Sequence, residues 1–133
     1  MPERRAAVLM RLLVVAMVLA TALAGCTSEI DRLEADAGAT IELRTVTFEP
    51  GDITISVGDA VTFDVVQASH TVDFAEGDGS VEGVSKAHSG NLDPGDTFTV
   101  TFTEPGTYPY FCAYHSSIKD GQRVGMVGTI TVA

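Results

Sequence analysis

Gly106-Thr-Tyr-Pro-Tyr-Phe-Cys-Ala-Tyr-His115 and Met126-Val-Gly-Thr-Ile-Thr-Val132 are the stretches on which the reading of this chain turns. The first is rich in aromatic and the second in β-branched residues, and Glu104-Pro-Gly106 punctuates the chain before the first, so both read as strands. Pro109 cannot donate to a β-ladder, so its position must face a gap, a bulge or a sheet edge. Cys112 closes the first run, His115 follows after two residues, and Met126 opens the second. With His70 upstream, they offer one thiolate, two imidazoles and one thioether. That donor set suits Cu(I) and Cu(II) about equally, in a trigonal site with a weak axial sulfur. The donors lie in distant stretches, so only a fold can bring them together.

The rest of the chain supplies such a fold. Ile41 to Phe48 alternates, Glu49-Pro-Gly-Asp52 breaks the pattern before Ile53 to Val57, and Gly58-Asp59 turns into Ala60 to Val66. His70 to Phe74 reads as a short strand. Thr97 to Phe102 alternates strictly, with Thr on one face and Phe or Val on the other. Ala75 to Pro94 holds too many turn residues for a continuous strand and is expected to form a long excursion. In it His88 sits among Ser, Lys, Gly and Asn, so it is expected to face solvent and not to ligate. About seven strands and hardly a helical stretch predict an all-β chain, an antiparallel Greek-key β-sandwich.

The first 25 of the 133 residues read as a leader. Arg4, Arg5 and Arg11 precede an apolar run, Leu12 to Ala24, that is short for a membrane span and ends in Leu23-Ala24-Gly25-Cys26. That ending resembles the bacterial lipoprotein processing box, which implies lipidation of Cys26 as the first residue of the mature chain. Residues 26–39 are polar and acidic and read as a tether, with a single domain over 40–133. The chain carries 8 basic and 18 acidic residues; removing Arg4, Arg5, Arg11 and Glu3 with the leader leaves 5 and 17, a formal charge of −12. Such a surface excludes nucleic acid, and its complement is a cationic protein. If Cys26 is lipidated, Cys112 is left as an unpaired thiol in an oxidising compartment; a Cys26–Cys112 disulfide is the alternative.

The two deciding stretches, together with Phe48-Glu-Pro-Gly-Asp-Ile-Thr-Ile-Ser-Val-Gly-Asp-Ala-Val-Thr-Phe63 and His70-Thr-Val, resemble the cupredoxins, their plastocyanin-like branch above all. The likeness runs over residues 41–132. It implies a copper-binding β-sandwich in which His70, Cys112 and His115 ligate one Cu(I)/Cu(II) ion per chain and Met126 is the axial ligand. The family uses a shorter spacing between the second histidine and the methionine, so Ser116 to Gly125 is expected to be a loop insertion. The function implied is single-electron transfer between redox partners by a membrane-anchored monomer, not an enzyme. It would work outside the cytoplasm, at the outer face of the cytoplasmic membrane, with a basic cytochrome or similar carrier as partner. Copper storage or delivery and a metal-free adhesion sandwich are the competing functions. Zinc fits less well, since the one spare sulfur is a thioether.

Overall fold

A computed structural model describes residues 38–133, which form one compact unit, Gly38–Ala133. The expected leader, Cys26 and nearly all of the tether lie outside the described residues. Seven strands and no helix are found among the described residues: β1 (Ala39–Leu43), β2 (Phe48–Glu49), β3 (Asp52–Ile55), β4 (Ala60–Val65), β5 (Thr97–Thr101), β6 (Gly106–Lys119) and β7 (Gln122–Val132). They make two sheets, ordered β2-β1-β4-β5 and β3-β7-β6, and the chain crosses between sheets on either side of β3 and again after β5. The all-β sandwich expected from the turn spacing is therefore present. It is not wholly antiparallel: β1 runs parallel to β4, and β3 parallel to β7. The crossings cause this, since a strand arriving from the opposite sheet need not reverse against its new neighbour.

The alternating strands bury one face each. Ile41 and Leu43 of β1, Val61, Phe63 and Val65 of β4, and Phe98 and Val100 of β5 point inward from the first sheet. Tyr108, Tyr110, Cys112, Met126, Ile130 and Val132 point inward from the second. Phe63 stands at the contact between them, its ring 5.3 Å from Tyr110 and 6.2 Å from both Phe74 and Phe98. Two of these pairs are edge-to-face, the arrangement favoured by the ring quadrupole. Tyr110 also donates its hydroxyl to the Gly51 carbonyl at 2.6 Å, tying β6 to the β2–β3 turn.

Pro109 pairs opposite Thr129 in β6, which is the edge of its sheet. The neighbouring outward amide of the same parity, Phe111 N–H, donates away from β7 to the Asp73 carbonyl. The missing donor of Pro109 thus falls on the edge, as its chemistry requires.

His70 to Phe74 is not the regular strand expected. It is an extended segment wedged between the excursion and β6. The N–H groups of His70, Val72 and Phe74 donate to the Leu92 carbonyl, Ser89 Oγ and the Ala87 carbonyl, while those of Thr71 and Asp73 donate to Cys112 Sγ and the Phe111 carbonyl. Side-chain acceptors interrupt the ladder on both sides. The excursion itself is confirmed, with isolated bridges and no named strand between β4 and β5.

Candidate metal centre

The centre is built at one irregularity in the β6–β7 pair. Phe111 faces Val127 and Ser116 faces Gly125, so the four residues Cys112 to His115 lie opposite Met126 alone. This wide bulge turns Cys112 inward, where it is fully buried, and brings His115 back beside it, half-buried. Ser116 Oγ donates to the Cys112 carbonyl at 2.6 Å and pins the bulge. His70 is brought to the same place by the segment after β4. It exchanges both backbone hydrogen bonds with Leu92, at 2.9 and 2.8 Å, and its side chain is completely buried.

Three donor atoms converge there. His70, Cys112 and His115 each offer one ligand atom, all within 4.8 Å of one another. Cys112 Sγ lies 3.7 Å from His70 Nδ1 and 3.5 Å from His115 Nδ1, and the two imidazole rings are 5.0 Å apart. A trigonal ion with metal–nitrogen bonds of about 2.0 Å and a metal–sulfur bond of about 2.3 Å needs nitrogen–sulfur separations of about 3.7 Å. The spacing fits a soft, borderline ion such as copper with little movement. The tautomer fits as well: His70 Nε2 is 2.7 Å from the Gln67 carbonyl and must carry the proton to donate to it, leaving the Nδ1 lone pair toward Sγ. Burial, the chief cause, and the positive potential of His115 lower the His70 pKa below its ordinary value, and so favour the neutral ring a metal requires. Thr71 N–H donates to Cys112 Sγ at 3.4 Å, a bond that steadies a thiolate.

Met126 is almost wholly buried and belongs to the core of the sandwich. The residue before it, Gly125, lies directly against the His115 backbone. A Cβ on Gly125 would sit 2.5 Å from the His115 carbonyl oxygen, and its φ is +103°. The expected insertion is a hairpin and not a loop. Ser116 to Lys119 pairs with Gln122 to Gly125 as a hairpin that prolongs β6 and β7. Asp120 and Gly121, with φ of 52° and 77°, form its two-residue turn, the pair of left-handed positions that Asp-Gly adopts readily. The lengthened spacing is thus an extension of the β6–β7 pair, and the bulge remains next to Met126.

Tyr114, Ile118 and Val124 are exposed, and the Tyr114 ring lies 6.5 Å from that of His115. Tyr114 is steadied by its hydroxyl bond to Asn91 Oδ1, 3.0 Å away. The guanidinium of Arg123 lies over the Phe111 ring at 3.7 Å, pairs with Glu76 and donates to Ser116 Oγ at 3.0 Å. His88 is not the solvent-facing residue its polar neighbours suggested. It is half-buried, with Nδ1 2.9 Å from Asp73 Oδ1 and Nε2 2.7 Å from the Gly79 carbonyl. It stands apart from the three converging donors. Neither Asp73 nor Arg123 was singled out by the sequence, since each reaches the site only through the folding of the excursion and the hairpin.

Comparison with known proteins gives the same picture. Residues 35–133 match the family of copper binding proteins, plastocyanin/azurin family. A chloroplastic plastocyanin from Oryza sativa subsp. indica is 38% identical over 90 residues, covering 64% of this chain and 54% of that protein. Plastocyanin from Scenedesmus fuscus is 36% identical over 106 residues, covering 76% of this chain and 95% of its own. The chain thus spans about half the length of the rice and barley relatives it matches, at 54% of each, but nearly all of the algal one. Among solved structures, a reduced amicyanin variant aligns with a TM-score of 0.55 and 25% identity, over 74% of this chain and 84% of that one. A purple cupredoxin from Nitrosopumilus maritimus aligns with a TM-score of 0.53 and 26% identity, over 71% and 99%. With the family matched across the whole sandwich and its bulge, the chain belongs to the copper-binding proteins of the plastocyanin/azurin family, the cupredoxins.

Proposed function

We propose that this protein is a membrane-anchored, mononuclear blue-copper carrier of single electrons, exported from the cytoplasm and tethered through a lipid on Cys26. The observation that carries the reading is the convergence of His70 Nδ1, Cys112 Sγ and His115 Nδ1 in a buried bulge of a stiff sandwich. These three residues would hold the ion, and Met126 would supply a further, thioether donor. Copper bound there would supply a one-electron Cu(I)/Cu(II) couple. The chain supplies rigidity: the Gln67 carbonyl orients His70, Thr71 orients Cys112, and Ser116 locks the bulge, so the donors keep their places when the charge changes. No acid, base or nucleophile is needed, and the protein is read as a carrier and not an enzyme.

The exposed Tyr114 beside His115 marks the face for a redox partner. The acidic composition favours a basic protein there, such as a basic cytochrome. The test is electron exchange between the copper-loaded protein, a monomer in this reading, and a basic c-type cytochrome at rising ionic strength. Rapid exchange that slows with salt supports the reading. Colourless protein that holds only Cu(I) and never cycles would replace it with copper storage or delivery.

A further inference from the structure

His88 lies far in sequence from every candidate ligand, yet hydrogen bonds link it through Asp73 to Thr71, whose backbone amide donates to Cys112 Sγ. Its two ring nitrogens face the Asp73 carboxylate and the Gly79 carbonyl, and both partners are acceptors. A neutral imidazole has one N–H and can satisfy one of them; the imidazolium has two and satisfies both. The surroundings are therefore shaped for the cation. The His88 pKa is accordingly raised above its ordinary value, first by the bond to Asp73, then by the Gly79 carbonyl, with the charges of Asp73 and Asp78 adding to them.

Asp73 passes the effect on. Its other oxygen, Oδ2, accepts from the Thr71 hydroxyl at 2.6 Å. With its proton committed to Asp73, Thr71 Oγ1 accepts from Ala113 N–H at 2.8 Å, and Thr71 N–H donates to Cys112 Sγ. The Asp73 backbone is fixed by two bonds to Phe111, the residue before the thiolate, at 2.9 and 3.0 Å.

We propose that His88 and Asp73 are positioning residues of the metal centre, acting through Thr71 on the hydrogen bond to Cys112 Sγ, so that proton uptake at His88 favours the reduced centre. The inference rests on the copper reading above. Reduction removes one positive charge from the centre, so a proton gained nearby favours the reduced state by simple electrostatics. The His88 side chain is 27% exposed and Asp73 15%, which lets His88 exchange protons with solvent while the bonds to the thiolate stay sheltered. The other charged groups facing this pair are Asp78, beside the ring, and Glu76 and Arg123, which are paired with each other and line the same shallow pocket as Asp73. Lys86 is turned away, its ammonium 6.0 Å above the Phe98 ring. His88 is the one imidazole in this group.

The experiment has a metal-free arm and a copper arm, both on the full chain. In metal-free protein, a pH titration followed by nuclear magnetic resonance is expected to show the Thr71 and Ala113 amide signals shifting with the same midpoint as the His88 ring. That midpoint should lie above the ordinary imidazole value. The shifts should vanish in His88→Gln. In copper-loaded protein, the potential is expected to fall as pH rises through that midpoint, and to lose this slope in His88→Gln and in Asp73→Asn while the blue colour is kept. Amide signals that ignore the His88 titration overturn the proposal whether or not copper binds. A centre that forms but keeps the same pH profile in His88→Gln also overturns it. Failure of the wild type to form a coloured centre would instead count against the copper reading, with the amide arm still deciding the relay.

Discussion

Substituting Gly125 by alanine is the sharpest test of how the bulge is held. The new Cβ would meet the His115 carbonyl oxygen at 2.5 Å and the Ser116 Cα at 3.2 Å, both backbone atoms that cannot swing aside. The position also has φ of +103°, which disfavours any residue with a Cβ. The backbone term costs about 1–2 kcal/mol, and the overpacking adds about 1–3 kcal/mol. The sum is about 2–5 kcal/mol, a large share of the stability of a domain this size. Gly121→Ala is the control: its φ is +77° but nothing lies within 4 Å of the added carbon, so it should bear the backbone term of about 1–2 kcal/mol alone. Urea unfolding of both variants, metal-free, measures the difference without any contribution from bound ion. In addition, Gly125→Ala should weaken copper binding by displacing His115, whereas Gly121→Ala should not. If Gly125→Ala unfolds no more easily than Gly121→Ala, the close approach of β7 to His115 is not what shapes the bulge.

Other substitutions separate scaffold from site. Tyr110→Phe removes the hydroxyl bond to the Gly51 carbonyl and should cost about 1–2 kcal/mol in the same urea assay. Burial, aided by the nearby Asp52, raises the Tyr110 pKa above its ordinary value of 10.0. The unfolded chain would then release this proton first, so the wild type should lose stability relative to Tyr110→Phe as pH climbs past 10.0, with no such divergence below it. Met126→Leu preserves core volume and should keep the protein folded and blue while raising its potential; an unchanged potential and spectrum would remove Met126 from the site. Cys26→Ala should move the protein from the membrane to the soluble exported fraction, and continued membrane association would refute the lipid tether.

Much of this was legible in the chain because the signals were local. Thr97 to Phe102 alternates in sequence and buries Phe98, Val100 and Phe102 in space, since a strand has period two wherever it sits. Cys112, His115 and His70 could be grouped by chemistry alone, because a thiol beside two imidazoles has few other uses. The hairpin after His115 was missed although Asp120-Gly121 marks it. Its flanks, Ser116-Ser-Ile-Lys119 and Gln122-Arg-Val-Gly125, are mostly polar, and both faces of this extension lack the apolar alternation that identifies a buried strand. The burial of His88 is hidden in the sequence for a related reason. Burial of a histidine among Ser, Lys and Gly depends on what folds over it, and its partner Asp73 lies fifteen residues away. The parallel pairing of β1 with β4 and of β3 with β7 follows from sheet crossings that no short-range pattern records.

The most direct measurement is a Cu(II) titration of the metal-free protein, followed by visible absorption and electron paramagnetic resonance and repeated on Cys112→Ser. One equivalent of copper should produce an intense blue band and a small copper hyperfine splitting, both signs of a covalent copper–thiolate bond in a trigonal site, and Cys112→Ser should abolish them. A colourless complex, the spectrum of an ordinary tetragonal Cu(II) site, or the same blue band without the cysteine would contradict the assignment of His70, Cys112 and His115 as the metal centre.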